Sequence, residues 1–162
     1  MKEKKLPSKK CFKEQVLYCP ELDKIYLTKT KRKQAREIMK ERIQRKCPIC
    51  GFYHEVIYLD ARIANAIMTF NEKEYRTKYS CSGHPDSRCL PYIYFDLKIS
   101  DSILRVFDNL PLSWYVDVSD LKEGRLIIRS ESPSDINGYP EYLDDLEAFS
   151  HEVPYLRKYW GY

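Results

Sequence analysis

Cys47-Pro48-Ile49-Cys50-Gly51, with His54 three residues further on, is the stretch around which the fold of this chain is read. Two cysteines separated by two residues sit on one tight turn, which aims both sulfurs at a common centre. Gly51 supplies the unusual backbone angle that such a turn needs, and the N–H groups of the turn can stabilise thiolates. Soft thiolates at this spacing are tetrahedral metal ligands, and Zn2+ is the expected ion. A turn of this kind staples a small structure together but names no reaction.

On the N-terminal side, Tyr18-Cys19-Pro20-Glu21-Leu22-Asp23-Lys24-Ile25-Tyr26-Leu27 leads into a short strand, with Ile25 and Leu27 alternating around Tyr26. Thr28 or Thr30 is placed to cap a helix over about 31–45, with Ala35, Ile38, Met39 and Ile43 on one face. That helix runs into the Cys47 turn, and Glu55–Leu59 forms the strand that follows. A structural zinc site needs four ligands. Cys47 and Cys50 supply two, Cys19 is the expected third, and Cys11 or His54 the fourth; the plainer reading of Cys19 and Cys11 is as buried thiols.

Residues 16–58 resemble a zinc ribbon, with Cys19-Pro20-Glu21-Leu22 in the place of the first knuckle and Cys47–Cys50 in the place of the second. The resemblance departs at Leu22, where the family pattern has a cysteine, so the ribbon is degenerate.

From Asp60 the pattern changes. Ile63, Ala64, Ile67, Met68 and Phe70 mark an amphipathic helix, and Tyr75–Tyr79 and Pro91–Leu97 read as strands. Ser100 or Asp101 caps a helix bearing Ile103, Leu104, Val106, Phe107 and Leu110. Strands Trp114–Val118 and Arg125–Arg129 meet around Gly124, and Pro140 opens a last helix with Tyr142, Leu146 and Phe149 inward. The expectation is an α+β protein: a flexible basic lead (1–10), a small zinc-ribbon-like unit with a basic helix (11–59), and an αββαββα domain with a mainly antiparallel sheet (60–162).

Between two of those strands lies Ser80-Cys81-Ser82-Gly83-His84-Pro85-Asp86-Ser87-Arg88-Cys89. Cys81, His84 and Cys89 have spacing that permits a second metal or ligand site, with Cys11, Asp86 or His151 to complete it. A cysteine or serine with a histidine three residues on also suits a nucleophile and its base. The third reading is a tight turn whose glycine allows the bend and whose polar side chains satisfy the backbone. Tyr75 to Gly83 is similar to the Ser-Cys-Ser-Gly stretch of the wybutosine-type tRNA-modifying enzymes, although the arginine of that family after the glycine is His84 here. A small ribbon followed by a Ser-Cys-Ser-Gly-His loop also resembles uncharacterised proteins of phages and mobile elements.

The 162 residues carry a net charge of only +4, but the distribution is lopsided. Residues 1–46 hold 16 Lys and Arg against 6 Asp and Glu, and the remainder is acidic on balance. Lys31, Arg32, Lys33, Arg36, Lys40, Arg42 and Arg45 lie on or beside the basic helix, a density able to neutralise several phosphates or to face an acidic protein. The acidic run from Glu131 to Glu152 alternates with Tyr139, Tyr142, Leu143, Leu146 and Phe149, the pattern of an ordinary amphipathic helix. No apolar run approaches the roughly 20 residues that cross a bilayer, and the charged start lacks a signal-like apolar core, so a cytoplasmic protein with reduced cysteines is expected.

The leading expectation is therefore a zinc-stabilised, non-enzymatic binding protein whose partner is a nucleic acid or a nucleic-acid-handling protein. The phage resemblance implies that it inhibits such a machine, as an anti-CRISPR or other defence inhibitor does. The alternatives are an RNA- or nucleotide-modifying enzyme working through Cys81–Cys89, and a DNA-binding transcription regulator.

Overall fold

Glu14–Cys19 (β1) and Lys24–Lys31 (β2) form an antiparallel hairpin, and Ile57–Asp60 (β5) pairs antiparallel with the other edge of β1. The computed structural model describes residues 14–83, 89–133 and 138–156. β1 is the middle strand of this first sheet, in the order β2-β1-β5. Val16, Leu17 and Tyr18 do not alternate with polar residues because a central strand has both faces covered; Val16 and Tyr18 are buried.

The basic helix Arg32–Lys40 (α1) follows β2 directly. The sequence predicts a helix continuing to about residue 45, but Arg42 adopts a left-handed conformation (φ 50°) that turns the chain back. Gln44–Lys46 is instead a short strand (β3), paired antiparallel with Tyr53–Glu55 (β4). Ile43 consequently lies outside the helix and is exposed rather than part of its apolar face. Ala35 is the one buried residue of α1.

The rest is a second layer built on a four-stranded antiparallel sheet. Its strands are Thr77–Cys81 (β6), Tyr92–Phe95 (β7), Trp114–Val116 (β8) and Leu126–Ser130 (β9), in the order β6-β7-β9-β8. Helices Ala64–Glu72 (α2), Asp101–Phe107 (α3) and Gly138–Glu152 (α5) contribute to its core with Ile67, Phe70, Val106, Phe107, Leu146 and Phe149, among others. The expected order of elements lacks one: the single turn Val118–Lys122 (α4) separates β8 from β9. Asp117 starts it by accepting from the N–H groups of Ser119 (3.0 Å) and Asp120 (3.3 Å), the way an Asx residue opens a helix. Ser100 caps α3 in the same way through the N–H of Ile103.

Phe70 packs edge-on against Phe95 with ring centres 5.1 Å apart, and Phe95 touches Phe107 at the same distance. Lys73, at the end of α2, buries its ammonium and donates to the carbonyls of Ser150 (3.0 Å), His151 (2.6 Å) and Val153 (2.8 Å). Those acceptors are left over at the C-terminus of α5, where a cation is favoured. No described helix is long and apolar enough to cross a membrane.

The two layers meet through Asp60, the last residue of β5. Its carboxylate accepts from Gln15 Nε2 on β1 (2.9 Å), and from the backbone N–H (2.9 Å) and hydroxyl (3.3 Å) of Ser82 just beyond β6. All three residues are buried. A second tie runs from the Arg76 guanidinium to Asp23, in the β1–β2 turn, at 3.0 Å.

Candidate metal centre

The β3–β4 hairpin carries the Cys47–Cys50 turn at its tip. Cys47 N–H donates to the Phe52 carbonyl (2.8 Å), and Gly51 N–H donates to the Cys47 carbonyl (2.9 Å), closing the loop. Gly51 has φ +78°, as the turn requires. Cys19 ends β1 and comes in from the facing hairpin, and His54 projects from the middle of β4.

Cys19, Cys47, Cys50 and His54 offer one ligand atom each, all within 4.8 Å of one another, close enough to bind a metal ion. A tetrahedral site with metal–sulfur bonds of about 2.3 Å has edges of roughly 3.8 Å, so a small contraction completes the geometry. Cys11 lies outside the described residues, and His54 is the fourth member of the cluster among those described.

The protonation pattern suits a ligand set. His54 Nδ1 lies 2.8 Å from the Glu55 carbonyl, which can only accept, so Nδ1 carries the hydrogen. Nε2 keeps its lone pair and is buried, with the Cys47 sulfur beside it and no nitrogen or oxygen partner. An orphaned imidazole nitrogen beside three thiols is the arrangement a metal resolves, with the outer carbonyl orienting the ring.

At Cys47, burial pushes the thiol up but is outweighed by N–H groups from Cys50 and Ile49 and by the Cys50 and His54 side chains. Its pKa comes down to about 7. Burial raises the Cys19 thiol, opposed by the N–H groups of Leu22 and Glu21 in its own turn. His54 is raised, first by its bond to the Glu55 carbonyl and, against burial, by the Cys47 sulfur.

The other candidate residues separate. Cys81 is buried, its sulfur accepts from the Gly83 N–H at 3.3 Å, and burial followed by the Asp60 carboxylate pushes its pKa up to about 11. That is the reverse of an activated nucleophile. Cys89 is exposed, and His84 and Asp86 lie outside the described residues. Cys81 and Cys89 join no cluster of possible ligands among the described residues.

The loop's described part is built for structure. Gly83 has φ +86°, and a Cβ there would meet Pro91 Cδ at 2.8 Å and Tyr139 Cε1 at 2.9 Å. Ser82 is held on Asp60 as described above. The partners Gln15 and Asp60 are 45 residues apart, and Asp60 and Ser82 are 22 apart, so no local pattern announces them.

Of the basic residues, Lys31, Arg32, Lys33, Arg36 and Lys40 line one open groove of about 790 Å³, with Glu14 and Glu37 on it as well. Arg42 and Arg45 fall away from that groove. Arg42 forms the reversal after α1, and Arg45, on β3, pairs with Glu41 at 2.9 Å. Compared with protein-family models, curated proteins and solved structures, the chain matches none.

Proposed function

We propose that the chain is a non-catalytic binding module, held at one end by a zinc ion in a degenerate ribbon, that lays the basic face of α1 along a nucleic acid. Zinc is favoured over other ions by the donor set, three thiolates and one imidazole, a combination typical of closed structural sites. The two-hairpin arrangement supports the ribbon: the Cys19 turn points its N–H groups at sulfur as a knuckle does, and Leu22, half exposed, stands where a second cysteine would be.

One observation carries the nucleic-acid reading. α1 buries only Ala35, so Lys31, Lys33, Arg36 and Lys40 stay exposed around a single groove instead of being consumed in packing. Four or five cations along about two turns of helix match closely spaced phosphates, and the released counterions make such binding steeply salt-dependent.

Two measurements test this. Elemental analysis should find one zinc bound by Cys19, Cys47, Cys50 and His54. Retention of single- and double-stranded DNA and RNA should weaken with salt, and Lys33→Glu with Lys40→Glu should lower the slope of log affinity against log salt by about one per residue. If the double variant retains nucleic acid as the parent does, α1 is not the contact surface. If no nucleic acid is retained at any salt, the groove serves an acidic protein instead.

A further inference from the structure

A second cavity, of about 440 Å³, opens between the two layers behind α1. Buried Gln15, Asp60 and Cys81 line it, together with exposed Arg36, Lys78 and Tyr79. Arg32 and Arg36 line both this cavity and the α1 groove, so the two spaces share a wall.

Gln15 is 7% exposed. Its amide nitrogen is committed to Asp60 at 2.9 Å, and a carboxylate accepts only, so the amide orientation is set. Gln15 Oε1 is then a buried acceptor with no hydrogen-bond partner. A buried acceptor left in that state costs free energy, which a ligand N–H would recover. The acceptor is deep, and Arg36 and Lys78 lie at the exposed side, so the complementary ligand presents N–H at one end and negative charge at the other. Tyr79 is 59% exposed, its ring 6.0 Å from that of Tyr94, with the Lys78 ammonium over both. Such a platform stacks planar rings.

We infer that this cleft binds one nucleoside phosphate, its base N–H on Gln15 Oε1 and its phosphate on Arg36 and Lys78. The nucleotide has two sources, a free mononucleotide or one unpaired nucleotide of a strand lying along α1. The second source rests on the nucleic-acid reading above; the first does not. Asp60 plays a positioning role, since its carboxylate orients the Gln15 amide.

The zinc-loaded full chain is titrated with AMP, CMP, ribose 5-phosphate and inorganic phosphate, and with an unpaired oligonucleotide and its abasic counterpart. A base-specific hydrogen bond to a buried acceptor predicts that a mononucleotide, or the intact strand, binds at least about tenfold more tightly than the probe lacking the base. Gln15→Met should close that gap. Because Gln15 also bonds Asp60, Tyr79→Ala provides a variant on the surface, expected to weaken base-bearing probes by about fivefold or more while sparing inorganic phosphate. Arg36→Ala with Lys78→Ala should weaken every phosphorylated probe. Base-dependent binding of AMP or CMP assigns the free nucleotide; base dependence confined to the strand assigns the strand. Affinity indifferent to the base in both arms overturns the inference. If Lys33→Glu with Lys40→Glu still weakens strand retention and lowers its salt slope in that case, the α1 reading stands without the cleft. Base-dependent mononucleotide binding with no strand retention leaves the cleft and removes α1.

Discussion

Stripping the metal should melt the β3–β4 hairpin and leave the four-stranded sheet folded. From residue 44 to 55, Cys47 alone is buried, and every β3 side chain is exposed. Fixing that backbone costs roughly 1–2 kcal/mol per residue, on the order of 10–20 kcal/mol for the segment. One buried cysteine and a three-pair ladder return only a few kcal/mol, about 1 kcal/mol for each hydrogen bond, and a lone two-stranded hairpin is marginal in water. A four-ligand structural zinc site contributes about 10–16 kcal/mol near neutral pH, the one favourable effect of matching size. The main core, by contrast, draws on residues from Leu59 onward and takes nothing from the hairpin. Hydrogen exchange with and without chelator separates the two. The amides of Cys47 and Gly51, which close the loop at 2.8 and 2.9 Å, should lose protection, while those of β7 and β9 keep it. Persistent protection at Cys47 and Gly51 in metal-free protein would refute the assignment of the hairpin's stability to the metal. Simultaneous loss at β7 and β9 would refute the independence of the core.

Metal affinity should fall as pH drops, by at least tenfold per unit near neutrality. The Cys19 thiol, raised by burial, keeps its proton there and must release it on binding, and the raised His54 competes for a second; competition with a chromophoric chelator from pH 8 to 6 reads the slope. Gly83→Ala should lower unfolding free energy by about 2–4 kcal/mol, combining a left-handed backbone with a crowded core, as a urea midpoint shift at constant slope would show. Lys73→Met leaves three carbonyls at the end of α5 without their donor and should cost about 2–4 kcal/mol, with C-terminal amides exchanging first. Asp117 is held below its ordinary range chiefly by the Arg129 side chain, then by the Asp120 N–H. Its stabilisation is present above the ordinary carboxylate pKa and is lost as pH falls through the depressed one, so Asp117→Asn should flatten the acid limb of the stability curve.

Much of the layout from Asp60 onward is legible because its elements are amphipathic in the ordinary way. Ile93 and Phe95 turn to one side of β7, and Ser100 and Pro140 mark where helices begin. Three features are not. β1 hides because a strand covered on both faces loses its alternation. The end of α1 hides because Arg42, a good helix former, is driven left-handed by the hairpin that follows. α4 hides because a single turn leaves no period; its evidence is one aspartate cap.

Local spacing by itself determined that Cys47 and Cys50 face one centre: two residues between two cysteines, with Pro48 inside and Gly51 after, leave the chain little other geometry. It also determined that positive charge gathers before residue 47, since charge is counted without knowing the fold. Which residues complete the centre was decided only in three dimensions, where the antiparallel pairing of β1 with β2 and of β3 with β4 brings Cys19 and His54 onto the same point. The Gln15–Asp60–Ser82 clasp was decided there too. Hydrogen bonds between residues tens of positions apart follow from how sheets stack, and no periodicity along the chain encodes that stacking.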